Sequence, residues 1–500
     1  MTVLLGIDVG TTHAKAGTFR VEDGQVIPLR AAVRENITSR ALSGATVYDP
    51  DTVWNAVSEA VHEVTTDSAT DPTGIGISSM AETGLLVDRT SGTPRTPLIP
   101  WFERCAATEA AQIAERRDPF EHFRRTGLRA NAKAGLAKLL WLRERGEPLN
   151  GAVWLSAADY VAYRLTGAFG TDPTLAVRTH AFDLSRSGWD AAWLESWHLS
   201  PSLFPTVLPT GTVVGKTRAG TGIVGAEVPV AIAGHDHVCG AFAAGVAGPG
   251  TAFDSMGTAE TLVGTFEARP LTEADFATGL IFGPYVQSDR LFWMSALSAS
   301  GGSVEWLRGL LADPPLTYAQ LDALLNETPA EPTDILYFPY LRGSGAPHPD
   351  PEARGAFIGL TDIHTRGAMV QAVLEGTAYE MEAGRAAAEA RTGSPIRRIV
   401  AAGGGTRNPH WVQIKADVAG RPIEILAVKA ATVLGAALLA GLGIGIFADG
   451  TSAQASVRGL SGKRYVPNLV RHRRYQTLYA ERYVPLREAV RTDWSPVQGT

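Results

Sequence analysis

The sequence predicts an α/β fold made of two related halves, and three observations carry that prediction. Apolar runs of strand character alternate with stretches of helical spacing. A strand, glycine-threonine tip, strand pattern stands at the start and returns after the midpoint. The chain has 500 residues, 45% hydrophobic and 19% charged, more than one core usually fills.

The first apolar run, residues 4–8, ends in an acid, Asp8, and leads through Val9-Gly10-Thr11-Thr12-His13-Ala14-Lys15 into a second run, residues 16–19. This describes a β-hairpin whose tip offers backbone N–H and hydroxyl donors, an arrangement that suits a phosphate. Asp8 would repel that phosphate unless a divalent cation, Mg²⁺ acting through water, stood between them. Taken alone, the tip is equally an ordinary polar turn. Residues 27–33 complete a meander. Residues 51–64 place Val53, Val57, Ala60, Val61 and Val64 at helical spacing after an N-cap at Asp49 or Asp51. Strand character returns over residues 74–78 and 84–88. Helices are expected over 106–117, 136–145 and 158–166, the last closed by Gly167.

A Pro- and Gly-rich passage, residues 201–225, precedes a strand at 228–233, then Gly234-His235-Asp236-His237 and a small-residue helix over 238–246. The hairpin pattern then recurs over residues 251–264. Aligned on the Gly-Thr pairs, Ser255 falls where Asp8 stands, so the second tip, Gly257-Thr258, suits phosphate but lacks the metal-facing carboxylate. A third glycine cluster, Gly403-Gly404-Gly405-Thr406-Arg407-Asn408, lies between a strand at 398–400 and a helix beginning near Pro409. Glycines there let a ligand approach a helix N-terminus, whose dipole favours anions. The halves predict domains over residues 1–245 and 246–455, with a helical tail over 456–500.

The formal net charge is −6 and the basic residues are scattered, which argues against nucleic-acid and anionic-membrane partners. Two cysteines, Cys105 and Cys239, argue against a disulfide framework and for a cytoplasmic location. The N-terminus meets an acid early and lacks a basic run, unlike a secretion signal. Residues 430–447 carry no charge, yet Ala and Gly dominate them and Lys429 and Asp449 bound them without an aromatic belt. A helix packed closely between a sheet and its neighbours accounts for them better than a membrane span.

In this order the motifs resemble the FGGY family of carbohydrate kinases, within the actin, hexokinase and heat-shock ATPase superfamily, over residues 3–450. Besides Asp8-Val9-Gly10-Thr11-Thr12, the resemblance rests on Trp101-Phe102-Glu103-Arg104, Lys138-Leu139-Leu140-Trp141-Leu142 and Asp236 after an Ala-Gly turn. It rests further on Phe338-Pro339-Tyr340-Leu341-Arg342-Gly343 with Pro347-His348, Arg354-Gly355-Ala356-Phe357-Ile358-Gly359-Leu360, and Val373-Leu374-Glu375-Gly376. What it implies is two ribonuclease-H-like (actin-like ATPase) domains, each a mixed sheet flanked by helices, with the active site in the cleft between them. The implied reaction is ATP-dependent phosphorylation of a small polyhydroxylated substrate. Thr11, Thr12, Lys15, Gly257 and Thr258 would handle phosphates, Asp8 and Asp236 the Mg²⁺, and Gly404, Gly405 and Asn408 the adenosine end. Gly301 and Gly302 resemble a further nucleotide-side turn. Asp236 would be the general base, since phosphoryl transfer asks mainly for alignment, charge neutralisation and one carboxylate to accept a proton.

The substrate loop departs from the family. Glycerol kinases present Gln-Arg-Glu where this chain has Met80-Ala81-Glu82, and xylulokinases present Gln-Met-His. Glu82 keeps an acceptor for a substrate hydroxyl, while Ala81 removes the long cation that would grip a terminal diol. The expected substrate is therefore a ketopentose or pentitol-like polyol, read by Ala81, Glu82, Trp101, His235 and Asp236. Alternatives are glycerol or a tetritol and, in another class, a non-catalytic ATP-dependent switch. Trp101 also reads as core packing, Lys15 as a solvated strand residue and Cys239 as a small buried hydrophobe. Strand alternation would turn Asp236 away from His235 and His237, so the three are not expected to share a metal ion. Monomer and homodimer both remain open.

Overall fold

The computed structural model describes residues 2–41, 44–66, 71–347, 349–428 and 430–490. His348, Lys429 and the tail beyond Val490 lie outside the described residues. Two mixed sheets organise the rest. The first is built from β1 (Thr2–Val9), β2 (His13–Glu22), β3 (Gln25–Glu35), β4 (Gly74–Ser79), β5 (Val213–Lys216) and β6 (Pro229–His235), in the order β3-β2-β1-β4-β6-β5. The second comprises β7 (Thr251–Met256), β8 (Glu260–Glu267), β9 (Ile281–Pro284), β10 (Arg290–Leu297), β11 (Arg398–Ala402), β12 (Ile423–Leu426) and β13 (Ser461–Tyr465), in the order β9-β10-β8-β7-β11-β12-β13.

Apart from the extra edge strand β9, the sheets repeat each other. In each, an antiparallel meander is followed by two strands parallel to its first, and an antiparallel strand closes the edge. The duplication read from the two hairpins therefore extends to the whole sheet. The tail differs from expectation: before its helices, Leu469–Leu478 and Val484–Val490, it supplies β13, which pairs Tyr465 with Ile423. The strand forms because the sheet edge beside β12 offers unpaired backbone groups, and Tyr465 is buried there.

Five helices position the functional residues: α1 (Pro50–Val64), α2 (Asp236–Ala243), α3 (Gly301–Leu311), α4 (Pro409–Ala419) and α5 (Ala431–Gly443). Asp49 caps α1, its carboxylate accepting from the Thr52 backbone N–H at 2.8 Å. The small-residue segment after residue 430 is α5, and it lies against the first sheet. A Cβ on Gly6 would come within 1.9 Å of the Val433 carbonyl oxygen, and one on Gly76 within 1.9 Å of that of Ala436. Only bare backbone allows this approach. It buries Val433, Leu434, Leu438 and Leu439, each contributing about 1.5–3 kcal/mol. No described helix is long and apolar enough to cross a membrane. Both cysteines are free, and Cys239 is buried as expected.

Candidate active site

The first hairpin places Asp8 directly opposite Lys15. The Lys15 ammonium lies 3.2 Å from Asp8 Oδ2, the Thr432 hydroxyl donates to the same oxygen at 2.7 Å, and the Ser78 hydroxyl reaches Oδ1 at 3.2 Å. Asp8 is thus held from three elements: β2, the first turn of α5 and β4. Its negative charge raises the affinity of Lys15 for its proton, with a smaller contribution from Asp236. Lys15 is therefore the ion-pair partner of Asp8, with its side chain one-third exposed.

Above this pair the tip is pinned by side chains from distant segments. The Trp101 indole N–H donates to Thr11 Oγ1 at 2.8 Å, the Tyr48 hydroxyl to Thr11 O at 2.7 Å, and the Asn36 amide to Gly10 O at 2.7 Å. Trp101 accordingly does more than pack, because its indole fixes the threonine expected to meet phosphate. Thr12 is exposed at the tip, its hydroxyl 2.9 Å from His13 Nδ1.

Asp236 ends the path of β6 and begins α2. A positive φ of 104° at Gly234 turns the strand, His235 is its last residue, and Asp236 is the first residue of the helix. Its Oδ1 accepts from the His237 backbone N–H at 2.7 Å and stands 3.2 Å from His235 Nε2. Burial, and next among the raising causes the charge of Asp8, pushes the Asp236 carboxyl above its usual range, against the opposing influence of His237 and Lys15. The helix N-terminus favours the ionised form. His235 is buried and held neutral, chiefly by that burial and then by the Arg178 charge.

The expectation that Asp236 points away from the two histidines is overturned. Ligand-type atoms of His235, Asp236 and His237 all lie within 4.8 Å of one another. The reason is that the alternation rule applies within a strand, and here the strand gives way to a helix between His235 and Asp236. His237 also reaches the second sheet, its Nε2 lying 3.4 Å from Thr261 Oγ1.

The acceptor loop follows β4. Ala81 is buried with Met80 in the apolar cluster beneath the first sheet, so the group this loop offers to a ligand is Glu82. Glu82 adopts a positive φ of 58°, unusual for a residue with a side chain. Lys138 holds it there, its ammonium donating to the carbonyls of Glu82 (2.6 Å), Pro100 (2.9 Å) and Ile99 (3.1 Å). The Lys138-Leu139-Leu140-Trp141-Leu142 block thus ties the Glu82 loop to the Trp101 segment. A cation from elsewhere in the fold stands beside this loop: Arg178 Nη2 lies 2.7 Å from Glu82 Oε1, both side chains being nearly buried. It arrives from a 3₁₀ turn, Val177–Thr179. Nothing local in the sequence connects Arg178 to Glu82, or Thr432 to Asp8. Both pairings form only when distant elements pack.

In the second half, Ser255 faces Thr261 where Asp8 faces Lys15. The backbone N–H groups of Gly301 and Gly302 donate to Gly257 O (3.1 Å) and Thr258 O (2.9 Å). The α3 N-terminus therefore buttresses the second tip, and these two amides are already engaged. A Cβ on Gly301 would fall 2.5 Å from Gly257 O. The third glycine cluster lies beside the same hairpin: a Cβ on Gly403 would come within 2.5 Å of Met256 O, whereas one on Gly404 would meet nothing within 4 Å. Gly404 thus borders open space. Asn408 caps α4 through Oδ1, which accepts from the Trp411 N–H at 3.0 Å, so its amide nitrogen is not used by the cap.

Residues 3–243 match the N-terminal domain of the FGGY family of carbohydrate kinases, and residues 253–444 match that family's C-terminal domain. A glycerol kinase of Gloeobacter violaceus is 31% identical over 452 residues, covering 89% of each chain. A xylulose kinase of Bacillus subtilis is 26% identical and covers 96% of this chain and 95% of its own length. The crystal structure of a xylulose kinase from Rhodospirillum rubrum superposes with a TM-score of 0.85 at 28% identity, covering 98% of this chain and 99% of the other.

Proposed function

The chain belongs to the FGGY family of carbohydrate kinases, and from that premise we propose that it transfers the γ-phosphoryl group of ATP to a hydroxyl of a ketopentose or pentitol-like polyol, with Asp236 as the general base. One observation carries the reading. Asp236 stands at a helix N-terminus within reach of the Asp8–Lys15 pair, with both of its fixing contacts on Oδ1. Oδ2 is left to an acceptor hydroxyl.

In the reaction, Asp236 takes the hydroxyl proton as the acceptor oxygen bonds to the γ-phosphorus, and the bond from that phosphorus to the bridging oxygen breaks, releasing ADP. The tips at Thr11-Thr12 and Gly257-Thr258 hold the phosphates, Gly404, Gly405 and Asn408 the adenosine. Lys15 offsets part of the repulsion between Asp8 and Asp236. The donor set fits Mg²⁺, a hard cation that prefers carboxylate oxygens and water. Asp8 would hold it through water, with Asp236 as the second carboxylate. Bound with ATP, the ion supplies charge neutralisation on the phosphates. The same reading divides the chain into residues 1–245 on the acceptor side, 246–455 on the nucleotide side and a tail over 456–500, with α5 returning to the first sheet.

A second reading, glycerol or a tetritol as acceptor, is favoured by Arg178, which restores a cation beside Glu82. The deciding experiment is ATP-dependent phosphorylation of a panel of pentuloses, pentitols, tetritols and glycerol. Pentuloses or pentitols are expected to give the highest kcat/KM. A preference for glycerol would overturn the choice of substrate, and turnover of none would overturn the kinase reading.

A further inference from the structure

Arg178 is a buried guanidinium with one partner and two idle donors. Its Nη2 meets Glu82 Oε1 at 2.7 Å, while Nε and Nη1, both buried, have no acceptor among the described residues. Leaving charged donors unsatisfied in a low-dielectric site is costly, and proteins seldom retain such groups without a further acceptor. A mere counter-ion for Glu82 would need only the one contact. Its charge also reaches Lys133, whose ammonium lies 5.0 Å from the Trp101 ring centroid. Glu82 is itself immobilised by Lys138 at its carbonyl, so the pair presents a carboxylate acceptor and a guanidinium donor in fixed relation.

The geometry points to Arg178 as a specificity-determining residue of the acceptor site: Glu82 accepts from one hydroxyl and Arg178 donates to the neighbouring oxygen, so that together they read a vicinal pair of oxygens on the acceptor, away from the phosphorylated hydroxyl. This rests on the acceptor-site reading above and deepens it. It explains how the site keeps a cation although its loop carries Ala81. The cation comes from a turn elsewhere in the fold, and its charge is oriented by Glu82 instead of by chain neighbours.

The test compares each acceptor with analogues lacking each of the two oxygens in turn: glycerol with 1,3-propanediol and with 1,2-propanediol, and xylitol with its 1-deoxy and 2-deoxy analogues. Acceptor and ATP KM are measured for the wild type, Arg178→Met and Arg178→Lys, and acceptor binding is measured by calorimetry without ATP. In the wild type, loss of either oxygen should weaken the acceptor about 10- to 100-fold, the range for a hydrogen bond to a charged group. In Arg178→Met the intact acceptor should weaken by a similar factor, the analogue lacking the oxygen that Arg178 reads should change little, and KM for ATP should stay within about twofold. Arg178→Lys keeps a charge beside Glu82 and so guards against loss of the fold. It should melt close to the wild type yet still lose discrimination, because an ammonium does not reproduce the guanidinium fork. Undiminished discrimination in either folded variant, with only a lowered melting temperature, would overturn the inference and leave Arg178 a counter-ion satisfied by ordered water. A wild type that neither binds nor phosphorylates any panel member would instead overturn the underlying reading, and this inference with it.

Discussion

The two hairpins trace the same path and differ in which face of the strand bears charge. In the first, Asp8 and Lys15 are cross-strand partners beside Asp236. In the second, the corresponding pair is neutral, Ser255 and Thr261, and the carboxylates sit one residue away on the opposite face. There Asp254 lies 3.1 Å from the Lys415 ammonium, which also pairs with Glu260, and all three are buried in the second half. A carboxylate and a lysine near a hairpin tip are thus common to both halves. A shift of one residue decides whether they stand at the first tip near Asp236 or lie buried within the second half. The neutral tip can approach phosphate without help, whereas the charged one is suited to an ion and to tuning Asp236.

The comparison is broken most severely by exchanging roles. Asp8→Asn should lower kcat about 10²- to 10³-fold, the scale for removing one preorganised electrostatic group. Ser255→Ala should change kcat by no more than about threefold, since a single neutral hydrogen bond contributes on the order of 0.5–1.5 kcal/mol. Equal losses in steady-state kcat would show that the halves are not specialised as described. The lysines should behave in the reverse way. Lys415→Met strands two buried carboxylates and should destabilise the protein by about 3–5 kcal/mol in denaturant unfolding. Lys15, one-third exposed, should cost only about 0–1 kcal/mol when replaced by Met, with its effect falling on activity.

The pH profile sharpens the same contrast. Burial and Asp8 hold the Asp236 carboxyl above its usual value of 3.8. The base must be ionised to work, so kcat/KM should rise with pH along an acidic limb lying above 3.8. Lys15 opposes protonation of Asp236, so Lys15→Met should move that limb to higher pH. Asp8→Asn removes a raising charge and should move it to lower pH. The smallest effect is expected on the nucleotide side. A Cβ at Gly404 meets nothing, so Gly404→Ala should leave the melting temperature unchanged and raise only KM for ATP. A parallel rise in KM for the acceptor would contradict the division between the halves.

The sequence made legible what contiguous residues determine. Each hairpin pairs residues a few positions apart, so its tip, its acid and the neutral counterpart at Ser255 could be read from the chain alone. The close-packed helix α5 was legible from its small residues, although not that Thr432 on it would reach Asp8, since that bond joins residues 424 positions apart. Arg178 was hidden for the same reason: it belongs to a short turn whose relation to Glu82 exists only in the packed fold. The arrangement at His235 and Asp236 was misread because a period-two rule was carried past the last residue of a strand. Gly301 and Gly302, expected as a further nucleotide-side turn, lie against the second tip because their amides donate to it, a contact between segments more than 40 residues apart.

The central claim is that Asp236 removes the acceptor proton while the two tips hold the nucleotide, and Asp236→Asn tests it most directly. Phosphoryl transfer to the best acceptor of the panel is measured alongside ATP affinity by calorimetry. The account predicts transfer lowered by at least about 10³-fold with ATP affinity within a few-fold of the wild type. Turnover near the wild-type rate in that variant would contradict it.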